Sequence, residues 1–189
     1  MSDRRTEILE AALRVLAKHG MRGLTHRAVD AAAGLPAGST VYYFRSRAAL
    51  VAGCVQRLAD VELEGAAALS APVYVDALVA RLTAIGVRMV TADRALTLAR
   101  YELSLAAARD DALRAALVRG GDAVRALLAD SMERVGSPQP DLAAVEIAAA
   151  LDGLVFTALL RGPSEPAELA AALRPALGRL LRAQPGVGS

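Results

Sequence analysis

The chain has 189 residues, 54% of them hydrophobic and only 3% aromatic, with 22 basic and 20 acidic side chains. That length suits one large domain or a small domain joined to a medium one, and an alanine-rich, aromatic-poor composition favours packed helices over sheets. A single cysteine, Cys54, excludes an internal disulfide framework and suits a reducing cytoplasm.

Residues 1–10 are charged and lack the apolar run of a signal peptide. The longest stretch free of charge, Ala31–Phe44, is 14 residues. A membrane-spanning helix needs about 20 apolar residues, so none is expected. The net charge of +2 is unevenly spread: residues 1–47 carry eight basic and four acidic side chains, giving +4, and residues 48–189 carry fourteen and sixteen, giving −2. A basic N-terminal part is where phosphate contacts would be made, although basic residues also simply solvate a surface.

Asp3–His19 reads as an amphipathic helix with Ile8, Leu9, Ala12, Leu13, Val15 and Leu16 on one face, closed by Gly20. Arg4 and Arg5 precede the apolar stripe and read as a solvated terminus, with reach along a DNA backbone as the alternative. The stretch Leu24–Arg47, LTHRAVDAAAGLPAGSTVYYFRSR, organises the rest of the chain. Thr25 is an N-cap for a short helix from His26 to Ala33, and Gly34 ends that helix by taking the left-handed conformation at no Cβ cost. Pro36 cannot continue it.

A second short helix, Gly38–Phe44, directs Val41 and Phe44 inward and ends in three consecutive aromatics, half of the six in the chain. Three successive residues cannot all face one core, so at least one tyrosine lies outside. Short helix, glycine turn, short helix is the sequence shape of a helix-turn-helix. The bland alternative, a glycine-rich turn into a buried helix, leaves the paired tyrosines unexplained. His26 has no metal-ligating company beyond His19 and reads as a backbone-contacting or surface histidine.

Ser46 caps a long fourth helix through Leu50, Val51, Cys54, Val55, Leu58, Val61 and Leu63 to about Leu69, with Arg47 in its first turn as a phosphate clamp. Pro72 starts a fifth helix to about Val90. Asp93–Ala108 is the sixth, and Asp110 or Asp111 caps a seventh to Val135. Gly120-Gly121 in its middle marks a kink, close packing or a break. Asp141 caps an eighth helix to Leu160, apolar on most sides and expected to be buried all round. Ser164 caps the ninth, where Pro175 should kink or interrupt the hydrogen-bond ladder. The leucine stripes of these last two helices suit a four-helix dimer interface made by Leu151, Val155, Leu159, Leu169, Leu173, Leu177 and Leu180, or an intramolecular core using the same residues.

Thr25-x-Arg27-x-Val29-x-x-Ala32-x-Gly34-Leu35, then Gly38-Ser39, Tyr42-Tyr43-Phe44 and Ser46-x-x-x-Leu50, resembles the TetR family of bacterial transcriptional repressors over residues 4–52. The resemblance implies an all-α protein of about nine helices. Residues 1–46 would form a three-helix DNA-binding domain, and residues 47–189 a helical ligand-binding and dimerisation domain. It further implies that Ala37, Gly38, Ser39, Thr40 and Tyr43 face the major groove, that Tyr42 bonds a phosphate, and that Thr25, Arg27 and Arg47 support backbone contacts. Two positions depart from the family pattern: Pro36-Ala37 replaces a serine and a basic residue, removing a helix cap and a phosphate contact, and Tyr43 stands where histidine is frequent.

The expected partners are operator DNA of pseudo-palindromic sequence, a second copy of the chain, and an unidentified small-molecule effector that releases DNA. No cofactor, metal or membrane is expected. A polar scatter of Tyr74, Thr97, Tyr101 and Ser104 in an apolar body is the candidate effector site. H-E-x-x-H, C-x-x-C, G-x-S-x-G and dinucleotide glycine motifs are all missing, so no enzyme is expected. Glu102 beside Arg100 and Tyr101 reads as ordinary helix surface. The rival reading is an all-helical small-molecule-binding protein or enzyme that does not touch DNA.

Overall fold

The computed structural model describes residues 3–70, 74–163 and 165–187. Those residues form nine α-helices and no strand. The helices are α1 (Arg4–Gly23), α2 (His26–Ala33), α3 (Ser39–Tyr43), α4 (Arg47–Ala66), α5 (Val75–Val90), α6 (Arg94–Ala107), α7 (Asp111–Arg134), α8 (Pro140–Arg161) and α9 (Pro166–Arg182), with a 3-10 turn, Ala67–Ser70, after α4.

The caps are where side-chain chemistry puts them. The Thr25 hydroxyl accepts from the Ala28 amide at 3.2 Å, Ser46 from Ala49 at 3.1 Å, and Asp110, not Asp111, from Leu113 at 3.0 Å. Gly34 ends α2 with φ 66°. α1 breaks at Gly20 (φ 64°, ψ −173°) as expected, but one further turn carries it to Gly23. α8 starts from Gln139 with Pro140 in its first turn, not from an Asp141 cap. The starts assigned to Pro72 and Ser164 lie outside the described residues.

Two compact units emerge. The first joins the chain up to Val61 to Ala95–Gly121, and the second joins Glu62–Arg94 to the chain from Asp122 onward. A boundary at residue 46 therefore does not follow the packing. Leu50, Cys54, Val55 and Leu58 of α4, and Ala99, Leu103 and Leu113 further on, share one core with Ile8, Leu16, Leu24 and Phe44. An apolar face of that width has to be covered, and α1–α3 alone are too small to cover it.

Within this unit, a Cβ on Gly120 would stand 2.9 Å from the Ala59 Cβ. Close packing is thus the reason for a glycine there, and α7 runs through it unbroken. The Cys54 thiol is fully buried, and burial pushes its pKa up to about 12, so it is inert.

In the second unit α5 packs on both α8 and α9. Its core holds Leu78, Leu82, Met132, Ile147, Leu151, Val155, Leu169, Leu173, Leu177 and Leu181. α9 continues through Pro175, whose missing N–H leaves the Ala171 carbonyl without its usual partner.

The structure corrects the expectation for α8. One side, Ala143, Ala144, Ile147, Leu151 and Val155, is buried, while Leu142, Val145, Phe156 and Leu160 are exposed. By length and composition alone this helix could also cross a membrane. Its Glu146 and Asp152, and a buried face that serves its own unit's core, are what a partly covered helix of a folded domain has.

Candidate nucleic-acid interface

α2, the turn at Gly34 and α3 form the helix-turn-helix, and α2 packs on both α1 and α3. α3 has five residues, too few to hold its own shape in water. Its N-cap is Gly38, φ 92°, which offers no side chain to the free amides behind it. The bonds come from the neighbouring helix instead. The Asp30 carboxylate, 4% exposed, accepts from the Gly38 amide at 2.8 Å, the Thr40 amide at 2.7 Å and the Thr40 hydroxyl at 2.6 Å.

Burial pushes the Asp30 pKa up. The hydrogen bonds from Thr40 and Gly38, with the nearby His26, outweigh that and hold it below the usual carboxylate value. His26 Nε2 lies 2.7 Å from the Phe44 carbonyl oxygen; a carbonyl only accepts, so Nε2 carries the proton and donates. Both ends of α3 are therefore tied to α2.

This arrangement overturns one assignment. Thr40 has no exposed surface and cannot read base edges. Val41, expected inside, is 46% exposed. The reason is rotational: tying the Thr40 amide and hydroxyl to Asp30 turns residue 40 inward and residue 41 outward on a one-turn helix. Phe44 is buried as expected, with the Arg5 guanidinium 4.4 Å from its ring centroid.

The other candidates all reach solvent, to different degrees. Thr25, Arg27, Ala37, Gly38, Tyr42 and Arg47 are exposed; Ser39 and Tyr43 are half-buried. Tyr42 is 80% exposed and meets the Tyr43 ring edge-on, with centroids 5.2 Å apart. Arg4, Leu35, Pro36, Gly38, Ser39, Tyr42 and Tyr43 line an open groove of about 450 Å³. Arg4 is exposed, as expected of a solvated position, and pairs with Glu7 at 2.8 Å in the first turn of α1. The Ser39 hydroxyl donates to the Pro36 carbonyl at 2.7 Å, and Arg47 donates to the Met21 carbonyl at 2.5 Å. Glu102 of α6 accepts from the Met21 amide at 3.2 Å, so it is not idle surface.

The four proposed effector residues divide between the two units. Thr97, Tyr101 and Ser104 are spaced i, i+4, i+7 on α6, in the first unit, and run from buried through half-buried to exposed. Tyr74 belongs to the second unit and is 72% exposed. Of the seven residues assigned to a dimer interface, Leu151, Val155, Leu169, Leu173 and Leu177 are buried in their own unit, Leu159 packs against that core, and only Leu180 is exposed. A side chain already out of water within one chain has nothing left to bury against a second.

A short, externally clamped helix presenting tyrosine, serine and flanking arginines defines a helix-turn-helix DNA-binding protein. Residues 8–54 match the family described as bacterial regulatory proteins, tetR family, and residues 73–183 match the tetracyclin repressor-like C-terminal domain. The chain belongs to the TetR family of bacterial regulatory proteins. It is a DNA-binding transcriptional regulator, not an enzyme.

Among solved structures, the multidrug binding protein EbrR complexed with ethidium is 32% identical with TM-score 0.70, over 94% of this chain and 98% of that one. A TetR-family member from Streptomyces coelicolor A3 is 31% identical with TM-score 0.71, over 95% and 98%. A transcriptional regulator from Rhodococcus sp. Rha1, 20% identical with TM-score 0.79 over 98% and 100%, shares the fold. No curated protein matches at a significant level.

Proposed function

We propose that the protein is a cytoplasmic, effector-releasable repressor that binds a pseudo-palindromic operator as a homodimer. The observation that carries the reading is the exposed Tyr42 on the clamped α3, beside Ser39 and Tyr43, with Thr25, Arg27 and Arg47 also exposed on either side of it in sequence. Tyr42 would donate to a phosphate. Ser39 and Tyr43 would meet base edges, where a hydroxyl serves either donors or acceptors. Ala37 and Gly38 would allow close approach of the backbone. Thr25, Arg27 and Arg47 would fix the register on the duplex.

Two copies would place their α3 helices about 34–36 Å apart, or a multiple of that, to reach successive major grooves. The dimer face would be the outer side of α8 (Leu142, Val145, Phe156 and Leu160) with Leu180 of α9. These residues are exposed and apolar on neighbouring helices, which suits a two-fold, self-complementary contact.

The EbrR structure complexed with ethidium supports a planar aromatic cation as a first effector to try here. Thr97, Tyr101 and Ser104 on α6 are the residues we would expect it to report on. The test is fluorescence anisotropy of a duplex that the protein itself selects from a random pool. Salt-dependent binding in the nanomolar range, with a two-fold symmetric consensus, supports the reading. No selection above background refutes it, and ethidium titrated into protein alone, without DNA, tests the effector separately.

A further inference from the structure

We propose that Asp30 is the positioning residue of the DNA-reading helix, setting the rotation and depth of α3 from a neighbouring helix. The proposal rests on the assignment of α3 to the DNA-binding face. Nothing in α3 itself can do this. Ser39 is engaged with the Pro36 carbonyl, Gly38 has no side chain, and Pro36 has no amide. A helix of five residues makes too few internal bonds to fix its own axis.

The Asp30 carboxylate supplies the missing cap through space. It takes the Gly38 and Thr40 amides, the free donors at the start of α3, and locks the only buried side chain of that helix through its hydroxyl. A negative charge there also faces the positive end of the helix. His26, one turn earlier on α2, ties the Phe44 carbonyl, so the two ends of α3 are pinned by residues spaced i, i+4 on one helix. Asp30 is itself buried and cannot touch DNA. Its effect reaches DNA only through where it leaves Ser39, Val41, Tyr42 and Tyr43.

The consequence is a split between base reading and phosphate binding. Phosphate contacts from Arg27 and Arg47 would sit outside α3 and tolerate a small shift of it, while the Tyr42 contact moves with the helix and weakens every duplex alike. Base contacts do not tolerate such a shift, since hydrogen bonds weaken steeply with misalignment.

The experiment compares wild type with Asp30→Asn, Thr40→Val and Thr40→Ser on the selected duplex and on a scrambled duplex of equal length, across a salt series, well below the melting temperature of each variant. Asparagine keeps one acceptor but turns an amide donor towards the Gly38 N–H. Valine removes the hydroxyl at nearly constant volume, and serine restores it. The expected result is that Asp30→Asn and Thr40→Val lower the ratio of selected to scrambled affinity roughly tenfold. Scrambled-duplex affinity should fall no further than loss of the Tyr42 phosphate contact takes it, its salt slope should stay at the wild-type value, and Thr40→Ser should retain the wild-type ratio.

Folded variants that melt earlier yet keep the ratio would overturn the proposal and leave Asp30 a stability residue. Should Asp30→Asn not fold, equal ratios for Thr40→Val and Thr40→Ser overturn it alone. Wild type that selects no duplex would instead sink the DNA-binding reading itself.

Discussion

Replacing Phe156 by alanine tests the proposed dimer face. The side chain lies on the outer side of α8 and is 51% exposed. Burying a whole large apolar side chain contributes about 1.5–3 kcal/mol, so covering the exposed half contributes about 0.8–1.5 kcal/mol. In a two-fold interface each substitution counts twice, giving roughly 1.5–3 kcal/mol per dimer, or a dissociation constant raised about 10- to 150-fold.

Within one chain the same change also removes the half of the ring that is already covered, which costs about 0.8–1.5 kcal/mol per monomer on the same scale. Sedimentation equilibrium over a concentration series should therefore show a weakened dimer. A melt of the variant at a concentration where both proteins are monomeric should show a loss no larger than that. An unchanged dimer constant would show that this face of α8 is not the contact, and a wild-type monomer at micromolar concentration would remove the two-fold reading altogether.

Further tests address the DNA face and the clamp. Tyr42→Phe should leave the melting temperature alone and weaken selected and scrambled duplexes equally, by roughly tenfold, with an unchanged salt slope because no counterion is involved. Arg47→Gln should lower the salt slope by about one and also destabilise the protein, since Arg47 donates to the Met21 carbonyl at the end of α1. Thr40→Val should cost about 1.5–3 kcal/mol of stability, the range for a hydrogen bond to a charged group, in urea titrations near neutral pH.

That cost depends on Asp30 being ionised. Its folded pKa is lowered, so the contribution is fully present above the unfolded value and is lost as pH falls through the folded one. The difference between Thr40→Val and wild type should be flat from pH 5 to 8, within about 0.5 kcal/mol, and shrink only in stronger acid, below about pH 4. Gly20→Ala should destabilise by about 1–3 kcal/mol. The backbone there is in a region nearly confined to glycine, and a Cβ would sit 2.9 Å from Glu102 Oε2. Overlapping melts for that pair would refute the strain argument.

Local signals in the sequence determined much of this protein. Thr25, Gly34, Ser46 and Asp110 act on backbone within three or four residues, so helix boundaries near them follow from spacing. The run of three aromatics forces one outward, and Tyr42 is that residue. The family resemblance rests on the same short-range pattern.

What only the tertiary structure decided concerns bonds and faces between helices. By sequence Asp30 is a stray charge in an alanine-rich helix, and nothing within four residues reveals that it caps α3 ten residues on. Without that bond the rotation of α3 cannot be read from spacing, and Thr40 and Val41 exchange places. The leucine stripes of α8 and α9 are legible as stripes. A stripe states that a face is covered and not by what, and the α5 packing claims Leu151, Val155, Leu169, Leu173 and Leu177 for a single chain. The unit boundary moves for the same reason: helical periodicity fixes where a helix runs, while long-range contacts fix which core it joins.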